Sequence, residues 1–255
     1  MKSFAVCHLS IAPVRIDCSD RAEIVTQLLF GESVSIIETQ KPWVKIICHH
    51  DNYEGWMDEK QLIYLNQEEF DEYHNKPAKV LNQPLIKIEG PLGVQHIMLG
   101  STLPNYSMQS IKIGSSIYEL KETLSKEIPD IKTVAMSYLN TPYLWGGRSI
   151  FGIDCSGFIQ NIYKILGMKI CRDASQQINY GEEIHFSQRK EGDLAFFIND
   201  KDLVHHVGLL IEGDKIIHAS GAVRIDKFDE IGIHRSDISN YTHKLLCLRR
   251  IKILK

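Results

Sequence analysis

The sequence that decides the fold reads Tyr143-Leu-Trp-Gly-Gly-Arg-Ser-Ile-Phe-Gly-Ile-Asp-Cys-Ser-Gly-Phe158 and predicts a helix that begins at a thiol. Glycine-bearing turns precede Asp154, a favoured N-cap residue. The apolar residues after Cys155 recur at helical spacing: Phe158, Ile159, Ile162, Ile165 and Leu166. The unpaired N–H groups and the positive dipole end of a helix lower a cysteine pKa from about 8.5 toward neutrality. We therefore predict that Cys155 is a nucleophile.

A histidine-bearing β-hairpin is predicted over residues 204–220, with its turn at Glu212-Gly213-Asp214. A three-residue loop puts His206 and His218 on one face as diagonal neighbours, about 7–8 Å apart or less. A two-residue loop would put them on opposite faces. Since side chains alternate along a strand, His205 points away from His206, and only one of the two serves the nucleophile.

Five motifs, in order along the chain, resemble those of the NlpC/P60 cysteine peptidases: Pro142-Tyr143-Leu-Trp145-Gly-Gly, Asp154-Cys155-Ser156-Gly157-Phe158, Gly192-Asp193-Leu-Ala-Phe-Phe, His206-Val-Gly and Ile217-His218-Ala-Ser. The resemblance covers residues 125–255 and implies an α+β, papain-like domain with helices against an antiparallel sheet. It implies that Cys155 is the nucleophile, His206 the base and His218 the third, orienting residue. Every motif position is intact, so we expect an active enzyme.

The same comparison gives candidate substrate-binding residues. The Tyr143 hydroxyl is a candidate to stabilise an oxyanion together with backbone N–H groups at the helix start. Trp145 is either a cleft wall or structural packing. Asp173 caps a following helix, faces the substrate amine, or does both. Glu54 is a second candidate carboxylate for that amine unless it is an ordinary exposed glutamate. The set is completed by Asp154, Ser156 and Ala174.

The composition is that of a soluble globular chain, with 44% hydrophobic and 24% charged residues. A net charge of −3 provides no basic field for nucleic acid or anionic lipid, and no apolar run approaches the ~20 residues of a membrane span. We expect neither partner, and a monomer. Six cysteines without disulfide-scaffold spacing, and an N-terminal apolar run interrupted by His8, favour a cytoplasmic location over export.

Residues 1–75 are predicted to form a small antiparallel barrel, because short β-rich runs alternate with turn residues. The runs are residues 4–9, 23–28, 34–39, 44–48 and 55–57. The segments Gly31-Glu-Ser-Val, Trp43-Val-Lys-Ile and Glu54-Gly55-Trp56-Met57 resemble a bacterial SH3 domain.

Residues 76–124 are predicted to form a second, degenerate SH3-like barrel after a linker marked by Pro77 and Pro84. The alternative is a single barrel and an irregular connection, which would be an unusually long loop. Two barrels before a catalytic domain resemble the γ-D-glutamyl-L-diamino acid endopeptidases of the family. This layout implies hydrolysis of murein peptides that carry a free N-terminal L-Ala, with release of L-Ala-D-Glu during cell-wall peptide recycling.

Three other functions are suggested by parts of the sequence. A zinc site of Cys155, His206 and His218 is disfavoured because no fourth ligand stands at metal-like spacing, so we expect no metal and no cofactor. A non-catalytic wall-binding protein would lack the nucleophile or the base, and both are present. A general cell-wall endopeptidase, or a thiol amidase or acyltransferase, uses the same thioester chemistry, and the sequence leaves that choice and the preferred diamino acid open.

Overall fold

The computed structural model describes residues 3–125 and 127–252, and the chain divides into two compact units. Unit 1 comprises Met1–Ile128 and Trp145–Ile150, and unit 2 comprises Pro129–Leu144 and Phe151–Lys255. The continuous domain expected over residues 125–255 therefore differs at Trp145–Ile150. This segment joins unit 1 because the Arg148 side chain is buried there against Glu32.

Unit 1 consists mainly of short strands. They are β1 (Ser3–Cys7), β2 (Ile11–Arg15), β3 (Ile24–Leu29), β4 (Ser33–Gln40), β5 (Trp43–Cys48), β6 (Glu54–Asp58), β7 (Leu62–Leu65), β8 (Lys79–Val80), β9 (Leu85–Gly90), β10 (Gly93–Met98), β11 (Thr102–Leu103), β12 (Ser110–Ile113), β13 (Ser116–Leu120) and β14 (Arg148–Ser149), with helix α1 at Gln67–Asn75. Among the described residues, β1 to β7 form one antiparallel sheet in the order β3-β2-β6-β5-β4-β1-β7. Strand β5 shows why: its buried residues Val44, Ile46 and Cys48 alternate with more exposed ones.

The predicted runs in residues 1–75 correspond to β1 and β3 to β6. Strand β2 was missed because Pro13 lies at its centre and cannot donate to a sheet. Helix α1 was also missed, although its capping box, Asn66 with Glu69, is a readable signal. In residues 76–124 the described strands form a sheet ordered β10-β9-β13-β12 and a pair, β8 with β11. That this region is a second SH3-like barrel stays a prediction.

Unit 2 combines helices with an antiparallel sheet. Its elements are α2 (Ile131–Met136), β15 (Gly152–Ile153), α3 (Cys155–Ile165), α4 (Ala174–Gln177), β16 (Glu182–Ile184), β17 (Leu194–Ile198), β18 (Val204–Glu212), β19 (Lys215–Ser220), β20 (Ala222–Phe228), β21 (Gly232–Arg235) and β22 (Asn240–Arg250). The sheet runs β16-β22-β17-β18-β19-β20-β21, and β21 also pairs with β22. The described strands from β17 to β22 therefore close into a six-stranded barrel.

Helix α3 packs against β18 and β19 and is buried along its whole length. None of the helices formed by residues 3–125 and 127–252 has the length and apolar character needed to span a bilayer.

Candidate active site

Cys155 is the first residue of α3, as the sequence predicted. Asp154 is the N-cap, and its Oδ1 atom accepts a 2.7 Å hydrogen bond from the N–H of Gly157. This bond satisfies one of the donors that a helix start leaves unpaired. Only 7% of Cys155 is exposed, so the thiol lies at the edge of a buried region.

The start of α3 is held by a buried arginine that the sequence analysis did not identify. Arg172 donates from Nη1 to Asp154 Oδ1 and to Ser156 Oγ, each over 2.9 Å, and its Nη2 donates to Asp154 Oδ2. Gln177 donates from Nε2 to the carbonyl oxygen of Ser156 over 2.9 Å. Arginines are rarely this buried, and this contact spans 18 residues, so no local pattern announces it. The residues that flank Cys155 are thereby fixed.

The sulfur of Cys155 lies against the backbone on either side of His206. Its Sγ atom is 4.0 Å from the carbonyl oxygen of His205, and the amide N–H of Val207 donates toward it. Helix α3 supplies the thiol and strand β18 the imidazole, which is the convergent arrangement a nucleophile and base require.

The hairpin has the two-residue turn of one predicted alternative and the histidine arrangement of the other. Its turn has two residues, because Glu212 pairs with Lys215, yet Gly208 still pairs with His218. The difference is absorbed by a β-bulge between Leu210 and Glu212, which inserts one extra residue into β18. The bulge restores the phase that keeps His206 and His218 on one face.

Gly208 is required by this pairing. A Cβ atom at residue 208 would lie 2.7 Å from Ile216 Cδ1 and 3.0 Å from His218 Cβ. The glycine of the His206-Val-Gly motif therefore lets the two histidine-bearing strands approach.

The two histidines form a hydrogen-bonded chain that ends at a carboxylate. His206 Nε2 is 2.8 Å from His218 Nδ1, and His218 Nε2 is 3.0 Å from Asp226 Oδ2. An ionised carboxylate only accepts, so His218 donates from Nε2 and accepts at Nδ1. His206 must then donate from Nε2, which leaves the lone pair on Nδ1. The chain thus fixes His206 in the tautomer whose free nitrogen is Nδ1.

Asp226 was not identified from the sequence, which predicts a strand only over residues 223–225. In the structure β20 continues to Phe228 and pairs with β19, so that His218 lies opposite Arg224. Burial opposes ionisation of Asp226, but hydrogen bonds from His218 and Arg224 lower the pKa of its carboxyl. The carboxylate is therefore charged and available as an acceptor.

Burial sets the protonation of the thiol and the base. It raises the pKa of the Cys155 thiol to about 12, with a further contribution from the Asp154 charge. Burial also lowers the pKa of His206 well below 6.5, and His218, His243 and His205 act in the same direction. The expectation that the helix start lowers the thiol pKa thus differs from the structure, since desolvation outweighs the helix terminus. Burial therefore favours the neutral form of both the thiol and the imidazole.

His243 joins the cluster, although no sequence pattern assigned it a role. Its ring centroid is 4.1 Å from that of His206, with 30° between the ring planes, and 5.5 Å from that of His218. The sequence predicts a closing strand only over residues 245–249, whereas β22 begins at Asn240 and closes the barrel. Strand β22 also pairs with β17, which lies next to the hairpin strand β18, and this places His243 near the hairpin.

The candidate substrate residues fall in both units. In unit 2, burial raises the pKa of Tyr143 to about 12, and the Asp154 charge adds to this, so its hydroxyl remains a donor. Asp173 is the N-cap of α4 without a side-chain capping hydrogen bond, and the adjacent Ala174 is buried.

Two candidates belong to unit 1. Trp145 is 61% exposed, so it is not core packing, and its Nε1 donates to Glu23. Glu54 is exposed and pairs with Lys45 at 3.3 Å.

Comparisons with known proteins agree with this architecture. Residues 140–242 match the model of the NlpC/P60 family, and residues 15–62 match that of the bacterial dipeptidyl-peptidase SH3 domain. A γ-D-glutamyl-L-lysine dipeptidyl-peptidase of Bacillus cereus is 32% identical over 231 residues, which cover 79% of this chain and 69% of the relative. Its namesake in Bacillus subtilis is 33% identical over 224 residues, covering 79% and 74%.

A solved structure shows the same likeness. The crystal structure of an NlpC/P60 family protein from Bacillus cereus superposes with a TM-score of 0.79 at 25% identity, covering 97% of this chain and 99% of that one. Together with the thiol–imidazole geometry, these matches show that the chain belongs to the NlpC/P60 family and is a cysteine peptidase.

Proposed function

We propose that the enzyme hydrolyses the bond between the γ-carboxyl of D-glutamate and the following diamino acid in murein peptides with a free N-terminal L-Ala. The products are L-Ala-D-Glu and a peptide or amino acid that begins with the diamino acid. The two relatives named γ-D-glutamyl-L-lysine dipeptidyl-peptidases support the substrate. The observation that carries the chemistry is the chain from Asp226 through His218 to His206 beside the Cys155 sulfur.

In the acylation step, Cys155 Sγ attacks the γ-carbonyl carbon while His206 Nδ1 takes the thiol proton. Proton transfer accompanies attack because the thiol pKa is raised and the imidazole pKa lowered, so a preformed ion pair is disfavoured. The imidazolium that forms is stabilised through His218 by the Asp226 charge.

The tetrahedral oxyanion needs donors that are in place before the reaction. We assign this role to backbone N–H groups at the start of α3 and to the Tyr143 hydroxyl, which stays protonated. His206 then returns its proton to the leaving amine, and the acyl group remains on sulfur as a thioester. Water, deprotonated by His206, hydrolyses the thioester and releases the dipeptide.

Selection for a free amine requires a negative charge on the enzyme where the N-terminal L-Ala of the substrate binds. We propose Asp173 as a carboxylate that binds the ammonium group of L-Ala, since a charge-assisted hydrogen bond is about twice as strong as a neutral one. The role of Glu54 stays a prediction from the sequence. The SH3 domain matched over residues 15–62 contains Glu54, and its dipeptidyl-peptidase description supports a role for that domain in substrate choice.

We further propose that the enzyme is a cytoplasmic monomer that acts in murein peptide recycling, with residues 76–124 as a second SH3-like barrel. The support is the sequence pattern of those residues and, for the location, six cysteines without disulfide-scaffold spacing.

The proposal is tested with three tripeptides, L-Ala-γ-D-Glu-L-Lys, its meso-diaminopimelate analogue and the N-acetylated lysine peptide, with products identified by mass. We expect L-Ala-D-Glu from the first two. Acetylation should lower kcat/KM about a hundredfold or more, because it removes a charged hydrogen bond and adds bulk. Cys155→Ala is the control for contaminating peptidases. Equal cleavage of the free and acetylated peptides would replace the dipeptidyl-peptidase function with that of a general endopeptidase.

A further inference from the structure

Three histidines converge inside the barrel of unit 2 and together offer a set of metal ligands. His206, His218 and His243 each present a ring nitrogen, and these atoms all lie within 4.8 Å of one another. They come from β18, β19 and β22, and β17 lies between β18 and β22 in the sheet. Two of them are buried and His243 is partly exposed, which gives an ion a route from solvent.

The hydrogen bonds of His243 identify its available nitrogen. The Thr242 hydroxyl donates its proton to the carbonyl oxygen of Ile233 over 3.4 Å, and its Oγ1 lies 2.9 Å from His243 Nδ1. Because Thr242 engages Nδ1, Nε2 is the ring nitrogen of His243 that remains for a metal ion.

We propose that a divalent transition-metal ion, with Zn²⁺ as the reference, binds His206, His218 and His243 and switches the enzyme off. Neutral imidazoles suit zinc, copper, nickel and cobalt, and three histidines leave the fourth tetrahedral position for water. Cys155 is not needed as a ligand. The ion would be an inhibitor that occupies the catalytic histidines and not a cofactor of the hydrolysis.

The geometry requires small side-chain adjustments. A Zn–N bond of about 2.0–2.1 Å separates tetrahedral ligand atoms by roughly 3.3 Å. The pair His206 Nε2 and His218 Nδ1, now 2.8 Å apart, must open slightly, and His243 must turn inward. Asp226 continues to accept from His218 Nε2 and orients that ligand, as second-shell carboxylates do for metal-bound histidines.

Inhibition follows from the tautomer of His206, and this step rests on the proposed function. When Nε2 of His206 forms a bond to zinc, the proton it carried moves to Nδ1, and the hydrogen bond to His218 breaks. The imidazole remains neutral and releases no proton. Nδ1 then has no lone pair, so it cannot take the proton of the thiol.

The test is a binding titration of metal-free protein with ZnCl2, followed by calorimetry, and with CoCl2, followed by absorption. Wild type, Cys155→Ala and the control His234→Ala, a β21 histidine outside the cluster, should each bind one ion without a thiolate-to-cobalt band. His243→Ala and the larger His243→Gln should bind at least about tenfold more weakly, since even outer-shell changes cost 10–100-fold in metal affinity. Circular dichroism identifies any variant that fails to fold. If one His243 variant does not fold, the other still tests the site.

Unchanged affinity in both His243 variants, or loss of binding in Cys155→Ala, would overturn the site. Inhibition is measured separately. Each variant's rate in the presence of chelator is the reference, and the Zn²⁺ concentration that halves this rate is determined. We expect this concentration to rise at least about tenfold in the His243 variants. Zinc that binds as expected but leaves hydrolysis unchanged would contradict the role of His206 as the base and leave the metal site standing.

Discussion

Both units bury an arginine beside a carboxylate, and the partners of the two pairs differ. In unit 1, Arg148 donates to both carboxylate oxygens of Glu32 over 2.8 and 2.9 Å and to the carbonyl oxygen of Gln27 over 2.9 Å. In unit 2, Arg172 holds Asp154 and Ser156, the residues on either side of Cys155.

The same interaction therefore serves two purposes. The Arg148 pair anchors the segment Trp145–Ile150 within its unit, whereas the Arg172 pair fixes the backbone from which the nucleophile projects. A buried ion pair is weak evidence for net stability, because desolvation offsets the attraction, but removal of one partner costs about 3–5 kcal/mol. The location of the ion pair decides whether removal of one partner lowers stability alone or also lowers catalytic activity.

The largest expected effect separates two adjacent histidines of β18. His206→Ala should lower kcat/KM about 10⁴-fold or more, because the loss of one member of a catalytic unit costs nearly as much activity as the loss of all of them. His205 is exposed, and its contact with the Cys155 sulfur is made by its backbone, so His205→Ala should stay within about threefold of wild type. Steady-state kinetics on the tripeptide measure both. Comparable losses in the two variants would contradict the strand phase described above.

A single-atom change at Asp226 tests the hydrogen-bonded chain. The amide of Asp226→Asn can donate to His218 Nε2, which reverses both tautomers and moves the His206 proton to Nδ1. We expect a loss in kcat of about 10³–10⁴-fold, the scale of the corresponding amide change in a serine-protease triad. Thermal unfolding near that of wild type would show that the loss is chemical. If Asp226→Asn retains kcat, Asp226 does not set the tautomer.

Arg172→Met tests the unit 2 pair of the comparison. It leaves the Asp154 charge buried and frees Ser156, so we expect kcat to fall about tenfold to a hundredfold and the free energy of unfolding to fall by about 3–5 kcal/mol. Denaturant titration and kinetics on the same samples measure the two effects. A loss in stability without a loss in kcat would show that the helix start does not depend on Arg172.

Arg148→Met tests the unit 1 pair. We expect a similar loss in stability, about 3–5 kcal/mol, but a kcat within about threefold of wild type under conditions where the protein is folded. The double variant Arg148→Met, Glu32→Leu should recover most of that stability, because it leaves no buried charge unpaired. A fall in kcat as large as that of Arg172→Met would remove the distinction between the two pairs.

The smallest effect is a pH dependence of stability. Burial lowers the pKa of His206, His218 and His243, that of His243 to about 4. The unfolded chain takes up these protons near pH 6.5, so it binds more protons than the folded chain, and stability falls as the pH drops from 6.5 toward 4. His243→Gln should reduce that fall by about 1–3 kcal/mol, measured by denaturant titration at each pH, with His185→Gln as the control. An identical fall in His243→Gln and wild type would contradict the assignment.

The features predicted correctly from the sequence are those that depend on local patterns. Asp154 as an N-cap, the apolar period after Cys155 and the hairpin that brings His206 to His218 were all readable, because each depends on neighbours in the chain. The five strands expected before residue 60 are present for the same reason.

The missed features depend on contacts between distant segments. Arg172, Asp226 and His243 reach the site through a loop contact, a longer strand and the pairing of β22 with β17, which no local period encodes. The thiol pKa was misjudged because the helix terminus is visible in the sequence, whereas the burial of Cys155 is not.

The central claim is that His206 faces the thiol as a neutral base with its lone pair on Nδ1. Nitrogen-15 NMR of histidine-labelled protein at pH 7, with His206→Gln to assign the resonances, reads this directly. The account predicts that His206 is protonated at Nε2 and unprotonated at Nδ1. A His206 ring protonated at Nδ1 alone, or at both nitrogens as in a thiolate–imidazolium pair, would contradict it.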